Sequence, residues 1–176
     1  MECITLADRS MVAAQIGRPA RGLDGVWKRC DYGFPQVVQV HPWIDRKPFP
    51  TLYWLTCPFL QRAISRLEAD GWVKRLEQHL ATHRGVAEAM DQAHRAYIAE
   101  RRSALPFEEW QEIDAAGLGE AFTARGIGGI RDWRTLKCLH LHAAHALATE
   151  NPMGQAVLSM LPAIQCDPKE VICSTL

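Results

Sequence analysis

The spacing of apolar residues changes at Pro58, and the change divides the chain into a β-like part and a helical part. Before it, Gly25 to Cys30 and Gln36 to His41 are short runs with β-branched or aromatic residues, separated by the turn-forming Asp31-Tyr32-Gly33-Phe34-Pro35. Two such runs around a turn predict a hairpin. Thr51 to Thr56 reads as a third strand. Upstream, Thr5 and Asp8 have capping-box spacing and predict a short helix to Ile16, ended by Gly17, Pro19 and Gly22.

From Pro58, suited to the first position of a helix, the period becomes helical. Leu60, Ala63, Ile64 and Leu67 mark one helix, Trp72, Val73, Leu76 and Leu80 a second, and Val86, Met90, Ala93 and Tyr97 a third. An acidic helix follows Pro106, a Cys/His-rich helix is predicted over Asp132 to Thr149, and a last helix ends near Leu161. The tail from Pro162 has no periodicity. The pattern predicts an α+β protein: one predominantly helical domain over residues 1–176, with a small antiparallel sheet of about three strands in the N-terminal third.

Composition adds boundaries. A chain of 176 residues can bury a core without disulfide staples. Lys and Arg balance Asp and Glu to a formal charge of zero, which argues against a nucleic-acid surface. No apolar run approaches the roughly 18–20 residues of a membrane span, and the N-terminus does not read as a signal peptide. The expectation is a cytoplasmic protein, in which six unevenly spaced cysteines are metal-binding, catalytic or buried rather than paired. Arg101-Arg102 and the acidic stretch Glu108 to Asp114 read as solvated helix faces, and Gly126-Ile127-Gly128-Gly129 as a flexible linker more than an anion-binding nest.

The chemistry concentrates in Cys138-Leu139-His140-Leu141-His142-Ala143-Ala144-His145. Thiolate and imidazole bind zinc, iron and copper well. On a continuous helix, Cys138, His142 and His145 would lie within about 60° of one another, and His140 would face away unless Cys138 precedes the helix proper. Cys57, just before Pro58, occupies a predicted N-cap, where the unpaired N–H groups favour a thiolate. Cys30 ends the first strand, at an edge that an antiparallel arrangement could bring near Cys57.

Several phrases of the sequence together resemble a known family. They are Arg29-Cys30-x-x-Gly33-x-Pro35, Pro48-Phe49-Pro50-Thr51-Leu52-Tyr53-Trp54-Leu55-Thr56-Cys57-Pro58, Ser65-Arg66-Leu67-Glu68, Gly126-Ile127-Gly128-Gly129, Lys137-Cys138-Leu139-His140, Ala144-His145-x-Leu147-Ala148 and Asn151-Pro152-x-Gly154. Over about residues 9–160 the chain resembles the bacterial domain-of-unknown-function family 501, which supplies relatives but no mechanism. In actinobacterial members the genes often neighbour a septum-formation initiator and an exopolyphosphatase. Several relatives carry a second cysteine where this chain has Tyr32. Cys3, Cys166 and Cys173 fall outside the resemblance.

Three functions fit. The first is a metal centre, zinc or an iron–sulfur cluster, held by Cys30, Cys57, Cys138 and one histidine, with His140 or His145 preferred because the resemblance includes them. The second is a thiol enzyme with Cys57 as nucleophile, a histidine of the Cys138 run as base and the glycine loop as cradle. The third is a non-enzymatic interaction module for a protein partner, linked to cell division or phosphate metabolism through the gene neighbourhood.

Overall fold

The computed structural model describes all 176 residues. Its centre is an antiparallel sheet in the order β1-β2-β3-β6, from strands β1 (Glu2–Cys3), β2 (Leu23–Arg29), β3 (Pro35–Val40) and β6 (Tyr53–Leu55). The predicted hairpin is β2–β3, with Val26 opposite Val38 and Arg29 opposite Pro35. β1 adds an edge strand too short to carry a sequence signal, and β4 (Trp43–Ile44) and β5 (Lys47–Pro48) form a separate ribbon. Asp45 and Arg46 turn that ribbon with positive φ.

Helices cover both faces of the sheet. Every residue of β3 is buried, as a central strand between two layers requires. On one face Val26, Val38 and Val40 pack with Val12 of α1 (Leu6–Ile16). The capping box of α1 is present, with Thr5 and Asp8 each bonded to the other's backbone N–H, and Gly17 closes the helix at φ 69°. On the other face Val37, Tyr53 and Leu55 join the main core. It is completed by α2 (Pro58–Ala69), α3 (Trp72–Thr82), α4 (Arg84–Ser103), α7 (Leu139–Ala148) and α8 (Pro152–Ser159). A satellite core of Trp43, Leu105, Ile113 and Phe122 holds α5 (Phe107–Ala115) and α6 (Glu120–Thr123). No helix is long and apolar enough to cross a membrane.

Three expectations change. The Cys/His helix begins at Leu139, not Asp132, and Cys138 is its N-cap in extended conformation. Cys138 therefore does not share a helical face with His142 and His145. Arg101 is fully buried rather than solvated. Its guanidinium donates to the carbonyls of Gly126 (3.2 Å), Phe122 (3.0 Å) and Arg125. The reason is tertiary: α6 and the following loop end against α4, and the Phe122 and Arg125 carbonyls there find their partner in the guanidinium. The Gly126–Gly129 loop, finally, is a packed turn. The N–H of Gly126 bonds Ile130, that of Gly129 bonds Gly126, and that of Ile127 bonds His94 Nδ1 (3.0 Å), so no anion cradle remains. A Cβ on Gly126 would overlap His94 Nδ1, and one on Gly129 (φ 82°) would lie 2.7 Å from Pro50.

Candidate metal centre

α2 presents Gln61, Ser65 and Glu68 at i, i+4 and i+7, beside its buried Leu60 and Ile64. That polar stripe meets the start of α7. Glu68 Oε1 accepts the Leu139 N–H at 2.6 Å and thus caps α7 in place of Cys138, whose side chain makes no cap bond. A carboxylate at a helix N-terminus satisfies an orphan donor and complements the dipole. The same oxygen lies 3.1 Å from His140 Nδ1. On the other side of the ring, His140 Nε2 is 3.1 Å from the Gln61 carbonyl and 3.2 Å from Ser65 Oγ.

Cys138 completes the group. One ligand atom each from Glu68, Cys138 and His140 all lie within 4.8 Å of one another, and all three residues are partly exposed. Cys138 and His140 also line a cleft of about 190 Å³ against Thr51, Trp54 and Leu55. The Cys138 thiol, the Gln61 carbonyl and Glu68 together raise the His140 pKa to about 9, overriding the opposite effect of burial.

The other predicted residues lie elsewhere. Cys57 is the N-cap of α2, as expected, with Pro58 at the first helical position. It is 7 % exposed, and burial pushes its thiol up; the N–H groups of Leu60 and Phe59 pull the other way without prevailing. No hydrogen bond joins Cys57 to a histidine, so the expected thiolate and its base are not assembled there. Cys30 and Cys57 do share one end of the sheet, flanking Pro35 and Gln36: Cys30 N–H bonds Phe34, and Thr56 N–H bonds Gln36. The tail adds to this corner. Gln36 donates to the Ile164 carbonyl at 3.1 Å, and Tyr32 Oη to the Cys166 carbonyl at 2.9 Å. Gln15 Nε2 donates to Cys173 Sγ at 3.3 Å. Burial raises the Cys173 thiol as it does that of Cys57. The tail's aperiodic sequence gave no sign of this.

His142 and His145 point into the core and are fully buried. Asn151, the N-cap of α8, bonds the Gly154 N–H through its side-chain oxygen at 2.8 Å, so its amide nitrogen faces His142 Nδ1 (3.1 Å) and His145 Nδ1 (3.0 Å) as donor. Each ring therefore carries its proton on Nε2, where neither has a partner. Burial lowers His142 to about 4 and His145 to about 3.

The arrangement is that of a single α+β domain with a Cys–His–Glu cluster where its two central helices meet. The chain belongs to the family described as "Protein of unknown function (DUF501)", whose model matches residues 26–159. That span contains Glu68, Cys138 and His140 and leaves out Cys166 and Cys173. No curated protein and no solved structure matches the chain.

Proposed function

We propose that this chain is a zinc-binding protein whose ion is held by Cys138, His140 and Glu68. The observation that carries the reading is their convergence within 4.8 Å, with Cys138 and His140 lining a cleft. Sulfur, nitrogen and carboxylate oxygen are all zinc donors, and three protein ligands with a free fourth position are the count of sites that do chemistry. The surroundings fit. Gln61's carbonyl faces Nε2 at 3.1 Å and would hold the ring with Nδ1 toward the ion, the usual outer support of a ligating histidine. The Leu139 N–H orients Glu68 in the same way. A bound zinc would supply Lewis-acid polarisation of a water or substrate oxygen in the cleft. An iron–sulfur cluster is a poorer fit, because it asks chiefly for thiolates and only Cys138 offers one here.

Elemental analysis of protein purified with and without oxygen tests this. About one zinc per chain is expected, lost in Cys138→Ser and Glu68→Gln while both variants stay folded. A full chain that takes up no zinc in either preparation overturns it. A second reading has its own support. Cys138 stands beside the imidazole of His140, which Glu68 orients, the order of a nucleophile, base and orienting acid. In that case chelator-treated protein alkylates at Cys138 much faster than at buried Cys57, and His140→Ala slows it. Slow alkylation of Cys138 in chelated protein counts against the thiol reading and leaves zinc.

A further inference from the structure

A second cavity, of about 360 Å³, lies between α4 and the α7–α8 junction. It shares no residue with the Cys138 cleft. Its α4 wall is formed by Ala89, Ala93 and Ala96 with Gln92 among them, ending at Glu100; the opposite wall includes Thr149 and Glu150. No lysine, arginine or histidine lines it.

Glu100 is set up from behind. The Tyr53 hydroxyl donates to Glu100 Oε2 at 3.2 Å, and His145 Nε2 stands 3.9 Å from the same oxygen. His145 is fully buried, its Nδ1 is taken by Asn151, and its Nε2–H has no acceptor in the protein. Tyr53 stacks on His145 with ring centroids 5.7 Å apart, which holds the Tyr53 hydroxyl in place. Only the Tyr53 hydroxyl bonds this carboxylate, and Oε1 has no partner within the protein. Thr149 Oγ1, on the facing wall, is a second buried polar atom without a partner. A carboxylate with the Tyr53 hydroxyl on its inner oxygen and no counter-charge around its outer one is complementary to a cation arriving through the cavity. Burial raises the Glu100 pKa for the same reason: no charge in the protein offsets its own.

We propose that this cavity binds an alkylammonium ligand. Glu100 takes the ammonium, Tyr53 positions its carboxylate, and the alanines of α4 seat the methylene groups. A hard metal ion is a weaker fit, because calcium and magnesium call for about six oxygens in a shell, and the α4 wall offers three alanine methyls beside the Gln92 amide and Glu100.

The test is titration of the full chain with 1,4-diaminobutane, read by calorimetry, with butane-1,4-diol as the neutral match. Saturable one-to-one binding of the diamine and none of the diol is expected. Glu100→Gln should weaken it at least about tenfold, and Tyr53→Phe by a smaller factor at unchanged stoichiometry. Ala96 is an exposed cavity position, so Ala96→Leu fills the space without entering the core and should also abolish binding. It decides the matter if Glu100→Gln fails to fold. No saturable diamine binding, equal binding in Ala96→Leu, or tight stoichiometric displacement of the diamine by Mg²⁺ or Ca²⁺ would each overturn the proposal.

Discussion

Replacing Arg101 with methionine should be among the most damaging single changes in this chain. Methionine keeps much of the apolar stem but removes the three donations to Phe122, Arg125 and Gly126. Gly126's carbonyl keeps the Gly129 N–H as a partner; those of Phe122 and Arg125 depend on the guanidinium. A buried acceptor left unpaired costs about 1–3 kcal/mol, and hydrogen bonds to a charged group contribute about 1.5–3 kcal/mol each. Against this, methionine relieves the desolvation of a charge that has no carboxylate partner and whose pKa burial lowers. The net loss expected is about 3–5 kcal/mol, or roughly 6–20 °C in Tm for a chain of this size. Urea unfolding followed by tryptophan fluorescence measures it. Arg101→Lys should fall between, since one ammonium can serve only part of the set. If Arg101→Met lies within about 1 kcal/mol of the parent, the view that this guanidinium organises the α6 loop is refuted.

Further outcomes follow from other parts of the fold. Gly154 packs against the His142 carbonyl so closely that a Cβ would overlap it, so Gly154→Ala should cost about 3 kcal/mol or more, whereas Gly85→Ala, in α4 with open space around it, should gain about 0.5–1 kcal/mol; parallel thermal melts compare them. His94, His142 and His145 are buried and neutral, with pKa values lowered to about 4, 4 and 3. The unfolded chain binds protons to all three first, so their stabilisation is present above the ordinary histidine pKa of about 6.5 and is lost as pH falls toward 4. Urea midpoints between pH 7 and 4 should drop with uptake of up to three protons, and a flat profile would contradict the burial. Burial alone would lower the His41 pKa, but the carboxylates of Glu109 (2.7 Å) and Asp24 (3.0 Å) on either side of the ring outweigh it and raise it. Its contribution has the opposite sign: present below about 6.5 and lost as pH rises through the folded value, so His41→Gln should remove that alkaline-side decline.

The candidate site was partly legible. Cys138 and His140 stand out by residue type; Glu68 was not picked out, and the signal that could have found it is its helical spacing from Gln61 and Ser65, a polar stripe beside an apolar one. Which histidine joins Cys138 depended on where α7 begins. One face of a continuous helix would join it to His142 and His145, but Glu68, 71 residues before Leu139 in the chain, caps Leu139 and leaves Cys138 outside the helix, next to His140. Cys57 shows the same limit. Its N-cap position was readable, but burial, a property of the whole packing, outweighs the local N–H groups and keeps it a thiol.

By itself the sequence determined the elements whose cause is local. The capping box of α1, the β2–β3 turn, Pro58 at the start of α2 and the apolar periods of α2 to α4 each depend on residues within a few positions of one another. Only tertiary structure decided the rest. It turned Arg101 inward to carbonyls more than twenty residues away, made a packed turn of a glycine loop that reads as a linker, and brought the tail cysteines to the corner of Cys30 and Cys57. Each of these groups is polar or small, so its local preferences are weak. Its final place is set by which distant donor, acceptor or surface is left unsatisfied when the helices close on the sheet.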